Sequence, residues 1–137
     1  MNYLLDTNVI SETMKKTPNI SVVDFIKSIP QHNQYINVLT IGEIRKGIGL
    51  LNNIKKIQEI THWLENDLLN RFYGRIINID IEIAEKWGRI LSIHNNVHAT
   101  DSLIAASAIV HNHKLVTRNV KDFKMIQELE IINPWDL

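Results

Sequence analysis

Residues 3–12 read YLLDTNVISE, a short apolar run that ends at a carboxylate and continues into a polar turn. Tyr3, Leu4 and Leu5 are typical of a buried β-strand, and Asp6 closes that strand. The residues that follow predict a helix from Thr7 to Lys16, which the sequence Thr17-Pro18-Asn19 interrupts. A strand that leads through an acid directly into a helix is the first half of a βαβ unit.

The rest of the chain repeats this alternation of strands and helices. Further strands are predicted at 35–39, 75–79, 114–117 and 130–132, and helices at 20–28, 40–50, 54–69, 80–94 and 100–111, with a short helical turn from Asn119. Strands that alternate with helices favour a parallel sheet with helices on both faces. We therefore predict a doubly wound α/β domain, in which ligands bind beyond the carboxyl ends of the strands.

Composition limits the class of protein. The chain has 137 residues, 45% of them hydrophobic and 22% charged, which predicts one globular domain over 1–137. It has no cysteine, so disulfides and thiolate metal sites are excluded. We find no signal-peptide pattern and no apolar run that could cross a membrane, and we expect a cytoplasmic protein. The formal net charge is zero, so any nucleic acid would have to be held locally.

Four acids fall at or near the predicted carboxyl edge of the sheet. Asp6 ends the first strand, Glu43 lies in the first predicted turn after the second strand, and Asp122 follows the fourth strand. Asp101 begins a long helix, and the packing of that helix decides whether it joins the others. Each acid also has a structural interpretation, as a helix cap or as a charge that favours a helix N-terminus; Thr40 and Glu43 have the spacing of a capping box.

Clustered carboxylates repel one another, and a divalent cation removes that conflict. Mg²⁺ and Mn²⁺ prefer oxygen ligands and support phosphodiester cleavage. The four acids therefore predict a metal site with hydrolytic chemistry.

Four local sequences resemble those of the PIN-domain ribonucleases, and specifically the VapC/FitB-like toxins of toxin–antitoxin pairs. They are LLDTNVISE (4–12), TIGEIRKGI (40–48), TDSLIAASAI (100–109) and LVTRNVKDF (115–123). They occur in the order found in that family, and the likeness extends to the closing NPWDL. The run 95–100, NNVHAT, is less typical of the approach to the third acid.

The resemblance implies a PIN-like fold, with a five-stranded parallel sheet between helices, and an Mg²⁺- or Mn²⁺-dependent endoribonuclease. The acids of the family fall on Asp6, Glu43, Asp101 and Asp122, as catalytic residues and metal ligands. The resemblance implies supporting polar residues at Thr7, Asn8, Thr117 and Asn119. Phosphate contacts are suggested for Arg118 and Lys121.

The resemblance also implies partners: an RNA substrate, a small cognate antitoxin and a second copy of the chain in a homodimer. No membrane partner is expected. An antitoxin segment is expected to cover apolar surface near the first helices, with Val9, Ile10, Met14 and Phe25 as candidate contacts.

Two other functions stay open at this point. A phosphatase with Asp6 as nucleophile is one alternative, although such enzymes carry a second acid two residues on, where this chain has Asn8. A non-catalytic PIN-type RNA-binding or regulatory module is the other. A zinc site from His94 and His98 is disfavoured because Asn95-Asn96 breaks the helix that would align them. Trp63 and Trp87 are assigned to packing, because both lie on apolar helical faces.

Overall fold

Five parallel strands form the centre of the computed structural model, which describes residues 1–137. They are β1 (Tyr3–Leu5), β2 (Gln34–Asn37), β3 (Ile76–Ile77), β4 (Lys114–Val116) and β5 (Ile131–Ile132). Their order across the sheet is β3-β2-β1-β4-β5, and every neighbouring pair is parallel. The order reverses beside β1, which is the switch point at which doubly wound sheets bind ligands.

Eight α-helices surround the sheet. They are α1 (Thr7–Thr13), α2 (Ile20–Ser28), α3 (Val38–Gly49), α4 (Ile54–His62), α5 (Leu69–Arg71), α6 (Ile81–Ile93), α7 (Ala99–Val110) and α8 (Val120–Phe123). A π-helical stretch, Trp63–Leu68, joins α4 to α5, so the helix expected over 54–69 is interrupted by a different helical form. None of these helices has the length and apolar character needed to cross a membrane.

Two hydrophobic cores lie on opposite faces of the sheet, because successive strand residues point to opposite sides. Leu4 and Leu115 face a core with α6 and α7, whereas Leu5 and Val116 face the core that includes α1 and α2. Each core contains 12 buried hydrophobic residues, and this confirms the prediction of helices on both faces. Trp87 packs against the first core and Trp63 against the second, as their helical positions predict.

Short polar side chains fix where several helices begin. The side chains of Asp6, Asn19, Asn37, Asn53 and Asp80 each accept a hydrogen bond from a backbone N–H group in the first turn of the following helix. The sequence also predicts Asp80 as the cap of the helix over 80–94, and the structure confirms it, with Asp80 Oδ1 2.9 Å from the backbone N of Ile83.

The expected start of α3 is wrong by two residues. Asn37 caps this helix through a 2.8 Å bond from the N–H group of Leu39, so the helix begins at Val38 and not at Thr40. Thr40 and Glu43 therefore form no capping box, and Glu43 lies in the second turn. Because α3 begins at Val38, Glu43 does not have the helix-capping role that its spacing from Thr40 suggested.

Candidate active site

The carboxyl edge of the sheet gathers polar side chains from three adjacent strands. Asp6 directly follows β1, Asn37 ends β2 and Thr117 directly follows β4. All three are buried, with at most 6% of their surface exposed. Neighbouring parallel strands end at one edge of a sheet, so residues far apart in sequence meet here.

Asp6 is held by three hydrogen-bond donors. Its Oδ1 accepts from the backbone N–H group of Thr7 at 2.9 Å, and its Oδ2 accepts from the hydroxyl of Thr117 at 2.8 Å and from the amide of Asn8 at 3.3 Å. Burial nevertheless raises the pKa of Asp6 from 3.8 to about 6, and the nearby charges of Glu43 and Asp101 add to this shift. The carboxylate is thus oriented by its donors but incompletely stabilised in its charged form.

Thr7 connects Asp6 to Glu43. Its backbone donates to Asp6, while its hydroxyl donates to Glu43 Oε1 at 2.7 Å. The hydroxyl oxygen of the fully buried Thr40 lies 3.0 Å from that of Thr7. Glu43 is itself exposed, so Thr7 holds its carboxylate at the rim of the site while α3 carries its backbone.

Thr117 and Asn8 form a second connection, from β4 to α1. The amide of Asn8 donates to Thr117 Oγ1 at 3.2 Å, and the backbone N–H group of Asn119 donates to the same oxygen at 3.1 Å. The side-chain carbonyl of Asn8 accepts from the backbone N–H group of Arg118 at 3.2 Å. These bonds fix the turn after β4 against Asp6.

Asp101 lies in the first turn of α7 and belongs to the same electrostatic group. Burial raises the pKa of Asp101, and the charges of Asp122 and Glu43 act in the same direction, whereas His98 opposes them. The packing of α7 therefore decides the question left open by the sequence, because it brings Asp101 to the carboxyl edge.

Asp122 stands apart from the other three acids. It is exposed in the first turn of α8 and does not line the cleft formed by the others. Its charge is close enough to contribute to the raised pKa of Asp101. Lys121 also lies outside the cleft, whereas Arg118 is part of its wall.

The cleft has a volume of about 420 Å³ and an almost wholly polar lining of eleven residues. Four residues in its wall were not expected from the sequence, namely Ser11, Glu12, Lys15 and Trp135. Ser11 and Glu12 lie three and four positions after Asn8, so helical periodicity would have found them. Nothing local could have placed Trp135, whose position depends on how the chain end docks.

The carboxylates fit a hydrated divalent cation. No three acid or histidine side chains are close enough together to hold an ion without further ligands. Mg²⁺ usually keeps several waters and takes only one or two carboxylates, so it does not require three protein ligands. Burial, with smaller contributions from the neighbouring acids, raises the pKa values of Asp6 and Asp101, and a bound cation would stabilise their charged forms.

Comparison with known proteins agrees with this geometry. The sequence profile of the PIN domain matches residues 3–129, which is most of the chain. The chain belongs to the PIN domain family. The resemblance of the four local sequences to this family, and the five-stranded parallel fold expected from it, are therefore confirmed.

The chain is similar to named members of this family and to solved structures. It is 35% identical to Toxin FitB of Neisseria gonorrhoeae, over 96% of this chain and 97% of that protein. It is 28% identical to VapC ribonuclease Y4jK of Sinorhizobium fredii, over 97% of each. The structure resembles that of FitAcB from Neisseria gonorrhoeae, with a TM-score of 0.90, 35% identity and coverage of 98% and 99% of the two chains.

A second solved structure, described as a toxin–antitoxin complex from Klebsiella pneumoniae, is more distant. Its TM-score is 0.74 at 26% identity, and the match covers 99% of this chain and all of that one. The PIN fold thus persists in this comparison although about three residues in four differ.

One expectation about surface residues is wrong. Val9 and Ile10 were candidates for contact with an antitoxin, but both are completely buried in the core. Met14 and Phe25 are half-buried and keep some accessible surface. The apolar positions of α1 are used for packing against the sheet and α2.

Proposed function

We propose that this protein is a Mg²⁺- or Mn²⁺-dependent endoribonuclease that acts as the toxin of a toxin–antitoxin pair. The observation that carries the proposal is the meeting of Asp6, Glu43 and Asp101 in one polar cleft of a PIN-family chain. The names of its relatives, Toxin FitB and VapC ribonuclease Y4jK, support the same activity.

In this proposal Asp6, Glu43 and Asp101 surround the cation, one or two of them binding it directly and the rest through its waters, and Asp122 acts from the periphery. When bound, Mg²⁺ or Mn²⁺ supplies activation of water and stabilisation of charge on the phosphate oxygens. Thr7 orients both Asp6 and Glu43 through its backbone and hydroxyl. Thr117 and Asn8 fix the other oxygen of Asp6, and Asn119 fixes Thr117.

A phosphatase with Asp6 as nucleophile is a poorer fit to the geometry. The position two residues on is Asn8, whose amide donates to Asp6 Oδ2 and to Thr117 Oγ1. This amide restrains the carboxylate and provides no second acid. A non-catalytic RNA-binding module has no use for Asp6, Glu43 and Asp101 gathered in one cleft, where burial raises the pKa values of Asp6 and Asp101.

The proposed partners are an RNA substrate, a small antitoxin and a second copy of this chain, with residues 1–137 acting as one domain. A structural neighbour described as a toxin–antitoxin complex supports the antitoxin. For its contact surface we retain Met14 and Phe25 and exclude Val9 and Ile10, which are buried.

The activity is tested by incubating the purified protein with single-stranded RNA and with a small phosphate ester, with Mg²⁺, with Mn²⁺ or after EDTA treatment. We expect RNA cleavage that requires either metal and no comparable hydrolysis of the ester. Undiminished cleavage after complete metal removal would contradict the metal mechanism. Hydrolysis of the ester alone would favour the phosphatase.

The partners are tested by co-expression with the product of the adjacent upstream gene, followed by light scattering. We expect a stable complex, and growth inhibition by the wild-type chain alone that the Asp6→Asn variant does not cause. Equal tolerance of both chains together with no complex would reject the toxin role. A monomeric chain at tens of micromolar, a concentration of the order of ordinary interface affinities, would reject the homodimer.

A further inference from the structure

Arg118 differs from every other arginine of the chain. Arg45 and Arg89 form ion pairs with glutamates, Arg71 donates to Gln34, and Arg75 donates to backbone carbonyls. The guanidinium of Arg118 has no hydrogen-bond or ion-pair partner, although this residue lines the acidic cleft.

The guanidinium of Arg118 lies over an aromatic ring. Its central carbon lies 5.1 Å from the centre of the Trp135 ring, which is within the range of a cation–π interaction. Stacking on a ring uses the face of the guanidinium and leaves its five N–H groups free to donate. Arg118 is therefore held in place without its hydrogen-bonding capacity being used.

Trp135 is itself fixed by the end of the chain. Pro134 is buried, Asn133 Oδ1 accepts from the backbone N–H group of Trp135 at 3.0 Å, and the Trp135 ring packs against the core beside α2. The hydroxyl of Ser21 donates to the Leu137 carbonyl oxygen at 2.9 Å. Trp135 is also the only hydrophobic residue in the cleft wall.

The remaining cation of the cleft is already neutralised. Lys15 Nζ lies 2.9 Å from Glu12 Oε1, and this contact, with smaller contributions that include the charge of Arg118, lowers the pKa of Glu12. Arg118 thus supplies the free positive charge of a cleft that also contains Asp6, Glu43 and Asp101. A polyanion that approaches these carboxylates needs such a charge beside them.

We infer that Arg118, positioned by Trp135, binds a backbone phosphate of single-stranded RNA next to the carboxylates. The planar fork of a guanidinium matches two phosphate oxygens. The inference deepens the proposed function, on which it rests, and makes Trp135 a positioning residue. By this inference the C-terminal segment that contains Trp135 contributes to substrate binding.

The test measures cleavage of single-stranded RNA with Mg²⁺, and RNA affinity at several salt concentrations in an Asp6→Asn background. For Arg118→Gln we expect KM to rise about tenfold, as for loss of a charged hydrogen bond, with kcat nearly unchanged. The slope of log affinity against log salt should fall by about 0.7, the value for one contact to a single strand. Arg89→Gln is the matched control, because it removes the same charge from an exposed ion pair on α6.

Trp135 is tested by two substitutions in the same assays. Trp135→Leu should raise KM about threefold, since the charge remains and only the stacking is lost. Trp135→Phe keeps an aromatic ring and should restore most of the affinity. Thermal unfolding of both variants separates this effect from loss of structure.

The inference is overturned if Arg118→Gln leaves KM, affinity and salt slope at wild-type values while the wild-type protein cleaves RNA. It is also overturned if Arg89→Gln causes the same loss, because the effect would then be one of total charge. If the wild-type chain neither binds nor cleaves RNA with Mg²⁺ or Mn²⁺, the proposed function fails and this inference fails with it.

Discussion

Asp6 at the carboxyl edge of the sheet and His113 at the opposite end are both buried titratable side chains, with opposite consequences for the protein. At the carboxyl edge, Asp6 accepts three hydrogen bonds and faces other acids across a cleft. Next to the amino end of β4, His113 is 7% exposed and packs 4.5 Å from the ring of Tyr35. Its Nδ1 atom has no partner.

Burial acts against charge at both ends. It raises the pKa of Asp6 to about 6 and lowers the pKa of His113 to about 4. The cavity beside His113, of about 250 Å³, is lined by Glu128 and Glu130, and each of these acids is ion-paired with a lysine. A buried titratable group is therefore insufficient for a site; the carboxyl edge differs because polar residues from three strands and three helices meet there.

The largest expected difference between the two ends is in catalysis. Asp6→Asn keeps the shape of the side chain but removes its charge, and should lower RNA cleavage about a thousandfold. His113→Phe should leave cleavage within a factor of about two, since it touches no part of the cleft. Metal-dependent cleavage assays on both folded variants check this, and near-wild-type cleavage by Asp6→Asn would refute the site.

The next largest effect is on stability at the carboxyl edge. The native state binds more protons than the unfolded chain between the usual pKa of 3.8 and about 6, so Asp6 makes the metal-free protein less stable as pH rises through this window. Asp6→Asn should therefore gain about 2 kcal/mol in the free energy of unfolding above pH 6, and much less near pH 4.

Denaturant unfolding in EDTA at pH 4, 5, 6 and 7 measures this difference. Mg²⁺ should then stabilise the wild-type protein but not the variant. A variant that is less stable than the wild type at pH 7 would show that the hydrogen bonds of Asp6 outweigh its electrostatic cost.

A smaller effect is expected from a residue that supports Asp6. Thr117→Val removes the hydroxyl that donates to Asp6 Oδ2, and this bond is the largest influence that lowers the pKa of Asp6. Activity or metal affinity should fall about tenfold, and the pH at which half the metal affinity is lost should move upward. Thr13→Val is the matched control, because that hydroxyl donates to the Ile10 carbonyl away from the cleft.

The smallest effect is expected at the amino end of β4. His113 has its pKa lowered from 6.5 to about 4, so the unfolded chain binds more protons in this window and the protein loses stability as pH falls through it. Relative to the wild type, His113→Phe should gain about 1 kcal/mol at pH 4 and little at pH 7. Unfolding measured at both values would contradict this if the gain were larger at pH 7.

These two pH dependences have opposite signs over nearly the same window. The stability of the wild-type protein should therefore vary less between pH 4 and 6 than that of His113→Phe, and in the direction opposite to that of Asp6→Asn. The free energies of unfolding of both variants, measured over the same pH range, separate the contribution of Asp6 from that of His113. Measurements on the wild-type protein alone cannot separate them.

The sequence determined the features that depend on local patterns. The strand before Asp6, the cap at Asp80 and the break at Asn95-Asn96 follow from short-range periodicity and side-chain chemistry, and the structure agrees with each. Four local sequences in the right order were enough to identify the family. The sequence offered two candidate caps for α3, Asn37 and Thr40, and local patterns could not choose between them. Asn37 caps the helix because its side chain can also donate to Ser107 at 2.6 Å, so it is buried with its hydrogen bonds satisfied.

Only the tertiary structure decided which residues share the cleft. Asp101 joins it because α7 packs along α6 and the sheet, whereas Asp122 stays outside on an exposed turn. Trp135 enters the wall through contacts of the chain end with α2, and it then fixes Arg118. The hydrophobic periodicity of the sequence indicates which face of its own helix or strand a residue occupies. The distances between residues on different helices and strands depend on how the two hydrophobic cores pack.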